Sequence, residues 1–150
     1  MVSPEQYITR QLIEQGVAFE VLQDRYVAAG TSPVSQTVDQ WKAKFISGRN
    51  APGLEAYLWH IFSFGATQCV EGAQATEEYL GQWKTTTLIF NEGRQYLIRC
   101  QNAVPIIEME DFTDDLYIAH KNMKWTYVIP HEIPSMGPYF STGLPAEEEG

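Results

Sequence analysis

Cysteine is scarce in this 150-residue chain: the two present, Cys69 and Cys100, have no CxxC or histidine-rich spacing around them. That spacing is what a zinc knuckle or redox motif requires, so both read as buried thiols of a reducing compartment. No run of about 18 apolar residues occurs, and the opening "MVSPEQYITRQ" lacks a basic start followed by an apolar stretch. Neither a membrane span nor a signal peptide is expected, and the chain reads as cytoplasmic. Positive charge is also short. Ten Lys and Arg against 19 Asp and Glu give a net charge of −9, and the bases read as dispersed, so no nucleic-acid partner is expected. A phosphate-cradling glycine loop, a G-x-S-x-G elbow and an H-E-x-x-H helix are all missing. His131-Glu132 continues as Ile133-Pro134-Ser135, and Pro130 and Pro134 forbid the regular helix a zincin needs.

What is present is material for one core. Hydrophobic residues make up 44% and aromatics 13% of the chain. At this length folding buries roughly 68–70% of the unfolded surface. Trp41, Trp59, Trp83 and Trp125 are spread along the sequence, so each part has a large side chain to bury. The organisation expected is a single domain over residues 1–144 and an acidic tail, 145–150, carrying Glu147, Glu148 and Glu149.

The early chain is punctuated for helices. Ser3 can cap, Pro4 suits the first helical position, Gln6 completes a capping box and Gly16 stops the run. "VAFEVL" alternates as a strand. A second helix opens at Ser32-Pro33 and runs to Gly48, with Val34, Val38, Trp41 and Phe45 on one stripe. "LEAYLWHIFSF" fits either helix or buried strand; strand is the expectation for residues 56–64. "EGAQATEEYLGQ" reads as a short helix carrying Ala73, Ala75 and Leu80. Two hairpins follow, "TTTLIF" with "QYLIRC" and "DLYIAH" with "WTYVI", their turns assigned to Gly93 and Asn122. The sum is an α+β domain: two or three helices packed on one face of a mostly antiparallel sheet of four to six strands.

A four-residue loop, Lys121 to Lys124, sets His120 opposite Trp125 and, counting outward, Asp114 opposite His131. His120 and His131 then lie at opposite ends of one hairpin, roughly 20 Å apart at 3.3 Å per residue, so three histidines cannot share a metal. His131 and Glu132 instead fall beside Asp114 and Asp115. A carboxylate beside a histidine either orients a general base or makes an ordinary ion pair, and the structural role is favoured. His60, between Trp59 and Ile61, reads as a core histidine with its nitrogens satisfied. No catalytic residue, metal or cofactor is assigned. If the chain is an enzyme, the candidates are His131, Glu132, Asp115 and His60, with Tyr139 joining them if the chain end folds over the sheet.

The segments "YLWHIFSF", "DLYIAHKNMKWTYVIPHE" and "GPYF" resemble those of an uncharacterised bacterial family, domain of unknown function 4275. The resemblance covers Tyr57 to Phe64 and Asp115 to Phe140, with Pro130 where such sequences often carry threonine. It implies kinship and no activity. The overall shape also resembles small bacterial immunity proteins. Two functions remain in view: a module binding a protein partner, such as a basic toxin or effector, through an acidic, aromatic face, and a small-ligand binder or hydrolytic enzyme using the His131 corner. A homo-oligomer is compatible with both.

Overall fold

The computed structural model describes residues 3–23, 32–109, 114–131 and 136–144. Glu132 and the acidic tail, 145–150, lie outside the described residues. The elements, in chain order, are α1 (Pro4–Glu14), β1 (Phe19–Gln23), α2 (Pro33–Phe45), α3 (His60–Ser63), β2 (Val70–Glu71), α4 (Ala73–Leu80), β3 (Thr87–Asn91), β4 (Leu97–Cys100), β5 (Leu116–His120), β6 (Thr126–Ile129) and β7 (Tyr139–Ser141). The strands form one antiparallel sheet ordered β1-β4-β3-β5-β6-β7-β2. The seven strands among the described residues exceed the four to six expected. The additions are β2, two residues long, and β7, three residues long behind a Gly-Pro step, both too short for an alternation pattern to register. No helix among the described residues is long and apolar enough to cross a membrane.

The helices cover both faces of this sheet, where one face was expected. Successive strand residues point to opposite sides, and the two apolar clusters divide accordingly. Leu116, Ile118, Tyr127, Ile129 and Phe140 pack with Ile8 and Leu12 of α1 and with Ala75 and Tyr79 of α4. Tyr117, Ala119, Val128 and Tyr139 pack with Val34, Val38, Trp41 and Phe45 of α2 and with Trp59, Ile61 and Phe62 around α3. Every residue of β6 is consequently buried, as are the first four of β5. Covering both faces also explains the continuous apolar run "LYIA", which a sheet with one wet face does not require.

The helix signals hold in detail. Ser3 and Gln6 form the capping box of α1, and Ser32 accepts the Ser35 N–H to cap α2. Trp41 fixes α2 to the sheet by donating its indole N–H to Thr126 Oγ1 at 2.9 Å, and Thr126 in turn donates to the Ile118 carbonyl. In α4 the buried side chains are Ala75 and Tyr79, four apart, while Ala73 and Leu80 face solvent. Helix α2 ends at Phe45, one turn short of Gly48.

The stretch expected as a strand, residues 56–64, is a series of turns leading into the single turn of α3. Gly53, at φ +83°, bends the chain so that its carbonyl accepts from both Ala56 and Tyr57. Helical spacing then places Trp59 and Phe62 together on the sheet, three residues apart. Both hairpin turns also differ in their left-handed residue: it is Arg94 (φ 55°), not Gly93, and Met123 (φ 59°), not Asn122.

Candidate functional site

The β5–β6 register runs from Ala119 opposite Thr126 to Leu116 opposite Ile129, and the His120 N–H meets the Trp125 carbonyl. His120 and His131 therefore occupy opposite ends of the hairpin, as the loop length demands. Counting outward puts Asp115 opposite Pro130, which has no N–H to continue the ladder. The strand stops there and His131 turns back. Its backbone N–H and its ring Nδ1 both meet Asp115 Oδ1 at 2.8 Å. The Asp115 side chain is 7% exposed and that of His131 24%.

A third group converges on the same oxygen. The indole N–H of Trp59, brought over the sheet by the α3 turns, donates to Asp115 Oδ1 at 2.9 Å. One carboxylate oxygen thus ties together β5, the end of β6 and the segment before α3. Asp114 points to the other face, as alternation requires, and accepts from the Tyr96 hydroxyl at 3.0 Å and from Asn91 Nδ2 at 3.4 Å. It belongs to the wall behind the corner. Burial raises the Asp114 carboxyl above its ordinary range and the Asp115 charge adds to this, against the bonds from Tyr96, the Asp115 N–H and Asn91.

Glu92 was not foreseen as part of this corner. It follows β3, its N–H donates to the Asp115 carbonyl at 3.0 Å, and its Oε1 accepts from the Leu58 N–H at 2.6 Å and the Tyr117 hydroxyl at 2.8 Å. Burial is the main cause that raises its carboxyl, and Asp115 adds to it; the Tyr117 and Leu58 bonds and the Arg94 charge act in the opposite direction. Glu92 is thus bonded through its backbone to Asp115 and through its carboxylate to Leu58 and Tyr117, close enough to Asp115 for the two charges to oppose each other.

Around these carboxylates stands a cluster of rings. Tyr57 lies 4.8 Å from His131 and stacks on Trp59 at 5.7 Å, while Trp59 lies 4.2 Å from His60, 6.1 Å from His131 and 6.3 Å from Tyr139. Two histidines 71 positions apart in the chain are thus joined through one tryptophan, and Tyr139 reaches the cluster from inside the sheet as part of β7. His60 Nδ1 contacts Ser63 Oγ at 2.9 Å. Its ring rests on Gly53, where an added Cβ would stand 2.7 Å from His60 Cδ2. Trp59 and Tyr139 are buried; Tyr57, His60 and His131 are half-buried, and Phe64, which contacts His60 at 5.5 Å, is 57% exposed. Among the described residues no group of three or more His, Cys, Asp or Glu is placed to hold a metal ion.

The site's residues fall within one family model. Domain of unknown function (DUF4275) matches residues 31–140. The chain belongs to the DUF4275 family. The matched span holds Tyr57, Trp59, His60, Glu92, Asp115, His131 and Tyr139, and leaves out α1 and β1. No curated protein and no solved structure matches the chain. The signal for the corner within the DUF4275 span is the adjacency of Trp59 and His60 in "YLWHIFSF". The partner of that tryptophan, 56 residues on, is set only by the packed sheet.

Proposed function

We propose that this DUF4275 chain is a protein-interaction module, of the general kind of a small immunity protein, and that the Tyr57–His60–Phe64–His131 surface meets the partner. The observation that carries the reading is the three-way bond to Asp115 Oδ1, which holds the buried Trp59 and the half-buried His131 in place beside Tyr57 and His60. Rings held in this way lose little conformational freedom on association, and aromatic anchors supply most of the energy of many interfaces. The net charge of −9 and the buried carboxylates behind the corner favour a basic partner.

The test is capture by tagged protein with matched surface variants. Phe64→Ser and Tyr57→Ala weaken recovery of a specific partner by about 30-fold, the effect of losing one interface anchor worth about 2 kcal/mol. Leu80→Ser, on α4 across the sheet, leaves recovery unchanged. Equal recovery by all four proteins removes the surface from the interface and overturns the proposal.

A second reading rests on the Asp115–His131 contact, since a carboxylate on one ring nitrogen orients the other as an acid or base. It makes the corner a small-ligand or hydrolytic site using His131, Asp115, Glu132 and His60. Turnover of an ester or phosphoester that is lost in His131→Gln and retained in Phe64→Ser would favour it over the interaction module.

A further inference from the structure

The bases that look dispersed along the sequence are partly regathered by the fold. The turn joining β5 to β6 lies against the C-terminal half of α2, and between them runs a groove of about 580 Å³ lined by Gln40, Ala43, Lys44, Lys121, Asn122 and Met123. It stands at the far end of the hairpin from Asp115, six strand positions or roughly 20 Å away, so it shares nothing with the aromatic corner. Of the described residues lining it, none is acidic, although the whole chain carries almost two acidic residues for each basic one.

Each polar side chain in that lining can donate hydrogen bonds: two ammonium groups and two carboxamides. The lysines are not equally free to swing away. The stem of Lys44 lies over Gly143, where a Cβ would stand 2.8 Å from Lys44 Cε. Lys121 leaves a turn that is pinned on three sides. Its N–H bonds the Thr86 carbonyl, the Met123 N–H bonds the His120 carbonyl, and the Asn122 N–H donates to His120 Nδ1 at 2.9 Å. Met123, 5% exposed and left-handed, anchors the same turn to the core and gives the groove an apolar wall with Ala43.

We propose that this groove binds a small phosphorylated molecule, with Lys44 and Lys121 on the phosphate dianion and Gln40 and Asn122 donating beside them. Two point-charge ammonium groups suit a compact dianion, and the two carboxamides add neutral donors beside them. The groove is shallow and open to solvent, and its volume exceeds what a bare phosphate fills. Ala43 and Met123 accept the rest of the molecule.

His120 provides a built-in reporter. Burial lowers its imidazole pKa, and the Lys124 and Lys121 charges lower it further. An anion seated on Lys121 offsets part of that field and moves the His120 titration upward.

The experiment is an NMR titration of the full chain with glycerol phosphate, and separately with inorganic phosphate, at ionic strength held constant with sodium chloride. The expected result is saturable shifts confined to residues 40–44 and 121–123, with a rise in the His120 titration midpoint. In the Lys44→Gln/Lys121→Gln double variant, whose substitutions are both at solvent-facing positions, affinity falls about tenfold or more, as loss of charge-assisted bonds demands. Shifts that follow sodium chloride equally, or that persist in the double variant, overturn the site. Inorganic phosphate binding as tightly as glycerol phosphate assigns the groove to the bare anion and overturns the phosphorylated-molecule reading.

Discussion

Asp115 carries a structural duty wider than the histidine contact its place beside His131 suggests, since Trp59 shares the same oxygen. Removing its side chain leaves the Trp59 indole N–H and the His131 N–H without their acceptor inside the fold. Asp115→Ala is expected to cost about 3–5 kcal/mol in urea unfolding, and Asp115→Asn, which keeps an acceptor oxygen, about 1–2 kcal/mol. Equal costs for the two would mean that the bonds contribute little and that packing alone holds the corner. Glu92 behaves in the opposite sense. Its carboxyl is raised by burial, so the folded state holds a proton more readily than the unfolded chain. Stability contributed by the protonated form is present below the unfolded value and is lost as pH rises through the folded one. Glu92→Gln keeps a carbonyl oxygen for Leu58 and Tyr117 and sheds the charge. It is expected to melt above the parent at pH 7, with the gap closing toward about pH 4, near the ordinary carboxylate value. A lower melting temperature at pH 7 would show the ionised carboxylate to be the stabilising form.

At the scale of elements, what could be read from sequence was whatever neighbours in the chain decide. Ser3 with Gln6 fixed the start of α1, and the loop of residues 121–124 fixed which residue faces which across β5 and β6, including the separation of His120 from His131. Two local readings differ from the fold. The strand reading of residues 56–64 counted aromatic and β-branched side chains, while the fold uses Gly53 to turn and helical spacing to seat Trp59 and Phe62. The left-handed turn residue was assigned to glycine on conformational preference, yet the pairing of Phe90 with Leu97 leaves the strained position to Arg94. Arg94→Asn relieves a left-handed conformation at the loss of an exposed 3.8 Å ion pair with Asp39 that contributes little. A gain of about 0.5–1 kcal/mol is expected in chemical unfolding, and a loss would assign the ion pair more weight than its exposure suggests.

For the whole molecule, the sheet is the shared wall of two cores, and its central strands are buried on both sides. The corner with Asp115 and Glu92 and the groove with Lys44 and Lys121 lie at opposite ends of this wall. Association of a basic partner with the acidic corner is expected to slow about tenfold or more between low and high salt in stopped-flow measurements, with the dissociation rate changing little. A salt-independent association rate would make the contact essentially apolar. The strand order has a consequence for synthesis. Because β7 separates β2 from β6, residues 70–71 have no strand to pair with until residues 139–141 have left the ribosome. Until then β6, buried along its whole length in the finished fold, is an open edge and a template for pairing with another chain. A nascent or truncated product ending before Tyr139 is thus the form most exposed to aggregation, and the last short strand acts as the closing stave of the sheet.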